Sequence, residues 1–178
     1  MFRQSYNELK ENKNMDYLFL RRNRRTTTSE RQKRLLFNAA ERQWEQDFAD
    51  REIAGRKIDC DIYKCILYHL EIKQVFLDRE LSLKKFSSMI DTNQTYLSNV
   101  VNKYFGCNLK ELLNTYRVEY AKELLRANRS TLEAVPRQCG FASKSAFYAA
   151  FSKIVGVPPS RYLSFEQKYN ASESMNYV

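Results

Sequence analysis

One pattern of apolar residues occurs twice in this chain, fifty residues apart, and that repetition limits the fold more than any other feature. Leu97, Val100, Val101, Tyr104 and Phe105 are spaced i, i+3, i+4, i+7 and i+8, the buried stripe of an amphipathic helix, and Gly106 closes it. Phe147, Ala150, Phe151, Ile154 and Val155 repeat the spacing, and Gly156 closes the second helix. A register kept through six positions implies two copies of one small helical unit. A shorter helix precedes each copy after a brief turn: Leu83 to Ile90, with Phe86 and Met89, and Leu132 to about Cys139. Each copy therefore reads helix, turn, helix. Between them Leu109, Leu112, Leu113, Tyr116, Tyr120 and Leu124 mark one connecting helix of about 19 residues, roughly 28 Å long.

Composition agrees with an all-α chain. Four glycines and three prolines stand in 178 residues, where average usage would give roughly 21. Barrels, sandwiches and doubly wound sheets need more turns than that. Ahead of the repeat, Ser29 and Gln32 form a capping box that opens a helix to about Asp50, with the stripe Leu36, Phe37, Ala40, Trp44 and Phe48. Such a stripe packs on its own domain or on a second copy. A second helix from about Asp61 to Leu77 turns Ile62, Ile66, Leu70 and Phe76 toward a core, with Asp59 or Asp61 as its cap. The expected organisation is a basic extension with one amphipathic helix over 1–58 and a lead-in helix over 59–80. Two helix-turn-helix units joined by the long central helix follow over 81–165, then a flexible tail over 166–178.

Several functions find no support in the residues. The apolar stretch Tyr17 to Leu20 is far below the roughly 18 residues of a membrane span, so the chain as given is expected to be cytoplasmic. Cys60, Cys65, Cys107 and Cys139 match neither a metal knuckle nor a disulfide framework and are read as free, partly buried thiols. His69 lies among Leu67, Leu70 and Ile72 without a second imidazole, which reads as packing. No phosphate-binding glycine loop is present. No cofactor and no enzymatic activity are expected.

Charge points to a polyanion. Residues 81–163 carry 12 basic and 5 acidic side chains, and the whole chain has a net charge of +9. The outward face of the first repeated helix reads Gln94, Thr95, Ser98, Asn99, Asn102 and Lys103, and the second reads Lys144, Ser145, Tyr148, Ala149, Ser152 and Lys153. Neither face holds a carboxylate, although 29% of the chain is charged. An ordinary solvated face mixes signs. A helix lying against phosphates avoids acids, while short amides and hydroxyls can bond base edges in the major groove.

These residues resemble a known family. TNQTYLSNVVNKYFG at 92–106, NTYRVEYAKELL at 114–125, GFASKSAFYAAFSKIVG at 140–156 and PSRY at 159–162 are similar to the tandem helix-turn-helix domain of AraC/XylS transcription regulators, in a flavour resembling members from Bacteroidetes-type bacteria. The resemblance implies a sequence-specific regulator with double-stranded DNA as partner, and two recognition helices set in successive major grooves by the long helix between them. Thr95, Ser98 and Asn99 then occupy base-reading positions in the first unit, and Lys144, Ser145 and Tyr148 in the second. Lys103 and Lys153 are expected on phosphates. RNA polymerase is a further expected partner, and the apolar stripe of the Trp44 helix suggests a second copy of the chain as another.

Two residues depart from the family pattern. Pro136 stands where a small residue is usual inside the first helix of the second unit, so that helix is expected to start late or bend. Ala149 replaces a long polar side chain and can offer only a methyl contact, so the second unit is expected to read sequence more weakly. The competing reading is a protein-interaction module with a degenerate second unit, docking through the stripe at Trp44. A thiol transferase is disfavoured because no cysteine sits in an activating cluster. The 80 residues before the repeat are too short and too helical for a sugar-binding barrel. A sensor is therefore expected upstream in a longer protein, with the run Arg21 to Arg25 just inside a membrane span.

Overall fold

The computed structural model describes residues 30–48 and 57–166, and every regular element among them is helical. The Ser29 cap, the Arg21 to Arg25 run, Tyr17 to Leu20 and the tail from 167 lie outside the described residues, as do the side chains of Gln32 and Phe48. In chain order the elements are α1 (Glu30–Phe48), α2 (Lys57–Leu67) continued by a π turn (Tyr68–Ile72), and a 3-10 turn (Val75–Leu77). Then come α3 (Leu83–Met89), α4 (Gln94–Phe105), α5 (Leu109–Arg126), α6 (Val135–Gln138), α7 (Lys144–Val155) and a last helix, α8, at 159–166. The connecting helix runs 18 residues, close to the expected length.

The chain divides into two compact units. Of the described residues, the first holds those up to Val75 together with Leu81–Leu109, hence α1 to α4. Its core gathers Leu36 and Ala40 of α1, Ile62, Tyr63, Ile66 and Leu70 from α2 and its π turn, Phe86 of α3, and the predicted stripe Leu97, Val100, Val101, Tyr104 and Phe105. Phe37 stands edge-on to Tyr68 at 6.1 Å, and Trp44 lies 5.8 Å from Tyr104. Leu36 and Ala40 of the α1 stripe are thus buried within its own unit, and Phe37 and Trp44 are half-buried against it. His69 bonds the Cys65 carbonyl at 2.9 Å through Nδ1 and stands edge-on to Phe86, the packing role expected of it.

Two readings of α2 are corrected. The helix begins at Lys57 and is no longer helical at Lys73, short of Leu77. Gln74 turns the backbone left-handed at φ 51° before the 3-10 turn. Asp59 is no cap: it lies inside the first turn and is buried, its carboxylate taken by tyrosine hydroxyls from α4.

The second unit holds Phe76–Glu80 and the chain from Lys110 onward. Val118, Ala121, Leu124 and Leu125 of α5, Val135, Cys139, Phe141, Phe147 and Phe151 form one buried cluster with Tyr162 of α8. Phe147 is the hub, with Phe141 at 5.3 Å and Phe151 at 5.5 Å. The helix before α7 was expected from Leu132; it starts at Val135. Pro136 has no N–H to give the Leu132 carbonyl, so residues 132–134 form a turn closed by the Ala134 and Val135 N–H groups on the Thr131 carbonyl. The proline therefore lies in the first turn, where a missing donor is tolerated. The late start holds, and no bend is needed.

Gly140 is the tightest point of this unit. Its φ is 79°, and a Cβ there would lie 2.5 Å from the Phe76 carbonyl oxygen and 2.8 Å from that of Leu77. Both obstacles are backbone and cannot swing away. Gly140→Ala should therefore lower the stability of the second unit by more than about 2 kcal/mol, combining left-handed strain with overpacking. Thermal melting followed through hydrogen exchange at α7 amides measures it.

Candidate nucleic-acid interface

Both repeated helices are built alike at their ends. The Asn93 side chain caps α4 by accepting the Tyr96 N–H at 2.8 Å, and Ser143 caps α7 by accepting that of Ala146 at 3.1 Å. At the other end Gly106 (φ 67°) and Gly156 (φ 80°) close the helices in the left-handed conformation. The turns ahead differ by one residue. Ile90, Asp91 and Thr92 separate the end of α3 from the first cap, whereas Cys139, Gly140, Phe141 and Ala142 separate the end of α6 from the second.

On α4, Gln94, Thr95, Asn99, Asn102 and Lys103 are exposed and Ser98 is half-buried. On α7, Lys144, Ser145, Ala149 and Lys153 are exposed, while Tyr148 and Ser152 are half-buried. Tyr148 packs edge-on to Phe147 at 5.6 Å, and the Lys144 ammonium sits 5.9 Å from its ring centre. Its ring is therefore partly committed to the core. Each outward face is assembled on one helix from neighbouring turns, as the spacing requires.

The two lysines expected on phosphates each have a carboxylate partner from another element. Lys153, three-quarters exposed at its side chain, lies 3.1 Å from Glu111 of α5. Lys103 lies 3.3 Å from the buried Asp59 and covers the Tyr104 ring at 4.9 Å. The acid-free faces are thus a property of α4 and α7 alone; the fold brings carboxylates to their edges.

Asp59 joins α2 to the first of these helices. Tyr96 donates its hydroxyl to Oδ1, Tyr104 donates to Oδ2 at 2.7 Å, and Lys103 reaches Oδ2. Burial pushes the carboxyl up, but the hydrogen bonds from Tyr96, Tyr104 and Lys103 outweigh it and hold the group below the usual range. Sequence alone does not pair Asp59 with tyrosines 37 and 45 positions away.

The second unit has a comparable anchor in the strap at 76–80. Arg117 of α5 donates from Nε to the Phe76 carbonyl at 2.8 Å and from Nη2 to that of Asp78 at 3.0 Å. Arg79 in turn donates to the carbonyls of Phe141 (3.1 Å) and Ala142 (2.8 Å). Among the described residues no cluster of His, Cys, Asp and Glu could hold a metal ion, and no helix is long and apolar enough to cross a membrane.

This geometry has counterparts among known proteins. A protein-family model described as a helix-turn-helix domain matches residues 86–164. The probable transcriptional regulator LumQ of Photobacterium leiognathi is 28% identical over 89 residues, half of this chain and 36% of LumQ. The melibiose operon regulatory protein of Escherichia coli K12 is 23% identical over 91 residues, 30% of its length. The match thus spans about a third of the length of these two relatives. Among solved structures, the C-terminal domain of AraT, a response regulator from Geobacillus stearothermophilus, aligns with a TM-score of 0.53 at 25% identity, covering 59% of this chain and 84% of that domain. Residues 86–164 are an AraC-type helix-turn-helix domain, a DNA-binding class found in transcription regulators.

The Asp59 anchor sets a pH dependence. A carboxyl held below its unfolded value contributes stability that is complete above about pH 3.9 and is lost as pH falls through the folded-state value. Asp59→Asn should cost about 1.5–3 kcal/mol at pH 7, the range for hydrogen bonds to a charged group. The gap between the two melting curves should close as pH drops below that range.

Proposed function

We propose that this chain is a sequence-specific DNA-binding transcription regulator whose α4 and α7 enter successive major grooves. The supporting observation is the duplication itself: two capped helices of 12 residues, with an outward face of amides, hydroxyls and a lysine on α4 and of hydroxyls, lysines and an alanine on α7, neither with an acid of its own. Thr95, Ser98 and Asn99 on α4, and Lys144, Ser145 and Tyr148 on α7, are the base readers in this proposal. Gln94 and Asn102 flank them. An exposed asparagine such as Asn99 suits the two hydrogen-bonding positions of adenine in the major groove. Ala149 leaves α7 a thymine methyl as its contact at that position, so the second half-site is read more loosely than the first.

Lys103 and Lys153 are the phosphate contacts in this reading. Each must exchange a carboxylate for a phosphate oxygen, an easier step for the exposed pair with Glu111 than for the partly buried pair with Asp59.

Selection of binding sites from random duplex DNA tests the reading, and a bipartite motif is expected. A chain that enriches no sequence overturns it. Asn99→Ala should relax discrimination at one or two base pairs of one half-site, by roughly 1–3 kcal/mol, and leave the other half-site unchanged. Replacing both Lys103 and Lys153 by alanine should weaken binding to all sequences. It should also flatten the dependence of log K on log salt by about 1.8, two contacts at about 0.9 each. An unchanged slope removes them as phosphate contacts.

A further inference from the structure

We infer that Arg79 is a positioning residue for the second recognition helix, setting where α7 begins from outside the surface that meets DNA. Helix α7 starts its own ladder at Ser143, whose carbonyl accepts the Phe147 N–H at 3.2 Å. The carbonyls of Phe141 and Ala142 lie ahead of that ladder and have no helical donor. Arg79 supplies both bonds from one guanidinium, through Nε and Nη2, a two-pronged grip that fixes direction as well as distance.

The grip transmits only if Arg79 is itself held, and three features hold it. Asp78 Oδ1 accepts the Glu80 N–H at 2.9 Å, closing a turn with Arg79 at its middle. Arg117 fastens the strap to α5 through the carbonyls on either side of Leu77. Phe76 is buried against Tyr116 and Tyr120, at 5.6 and 6.0 Å. The turn ahead of α7 that ends at Ala142 is pinned from beneath, since the Phe141 ring lies in the core 5.7 Å from the Arg117 guanidinium, and Gly140 allows the strap backbone to come close. Lys144 and Ser145 follow this turn by two and three residues. A small change in the direction of the turn moves them directly.

The inference rests on the reading of α7 as a base-reading helix, and its test separates the two. In the full chain without DNA, hydrogen exchange of the α7 first-turn amides, Ser145 to Tyr148, should quicken roughly fivefold or more in Arg79→Ala, since two hydrogen bonds are lost. The α4 amides should keep their rates. Arg79→Lys should fall between, because one ammonium does not reproduce the fork. In site selection, Arg79→Ala should lose information in the half-site read by α7, keep the half-site read by α4 and leave the salt slope unchanged.

Unchanged exchange at Ser145 to Tyr148 overturns the inference. So does a flatter salt slope with an intact motif, which makes Arg79 a phosphate contact. Should Arg79→Ala fail to fold, Arg79→Lys carries both measurements. Quickened exchange in a protein whose parent selects no DNA sequence leaves the positioning role standing and overturns the function proposed for the helix.

Discussion

A helix that offers one face to a partner can be held only by its opposite face and its ends. That constraint shapes both units. The inward stripes are wholly apolar or aromatic: Leu97, Val101 and Phe105 in one, Phe147 and Phe151 in the other, all essentially buried. Apolar burial is strong but non-directional. It fixes how deep each helix lies and leaves its rotation and axial position less determined. Directional bonds supply the rest, and each unit draws them from a different source.

In the first unit the directional element is the Asp59 carboxylate, which takes hydroxyls one turn and three turns into α4 and so fixes its rotation against α2. In the second it is a pair of arginine forks: Arg117 of α5 holds the strap, and Arg79 of the strap acts on the backbone ahead of α7 rather than on the helix. The difference follows from the residues available. Positions 146 and 154 of α7, fifty beyond Tyr96 and Tyr104, are Ala146 and Ile154 and carry no hydroxyl. The second helix has no hydroxyl at the two positions by which Asp59 holds the first, and its anchor falls on main-chain carbonyls.

The parts of the fold that follow from local periodicity were legible in the sequence. The two stripes, the closing glycines and the 18-residue connector stand where the spacing puts them. The misread parts are those decided by tertiary competition. Asp59 resembles a helix cap because an acid near a helix start usually is one; here Tyr96, Tyr104 and Lys103 claim it from the far side of the core. The late start at Val135 followed from Pro136, but the sequence could not tell a late start from a bend, since that depends on where the turn before it closes. Arg79 and Arg117 gave no signal, because their acceptors are backbone carbonyls and any residue has one. Of the candidate site, the exposed polar positions were legible from the helical wheel. The acidic partners of Lys103 and Lys153 were not, since Asp59 and Glu111 belong to other elements.

Those acidic partners bear on how a surface of this kind discriminates. A free lysine rewards any phosphate equally, whatever the bases beside it. A lysine already paired gains only the difference between a phosphate and its carboxylate, so its contribution to sequence-independent binding is reduced while the amides and hydroxyls beside it are unaffected. The reduction is greater at Lys103, whose partner is buried and makes two further hydrogen bonds, than at Lys153, whose partner is itself half exposed. Under the proposed function, the first helix would depend more on its exposed amides, Gln94, Asn99 and Asn102, and the second more on general attraction to phosphate. That division matches the side chains each helix presents, for α7 places Ala149 where α4 places Asn99.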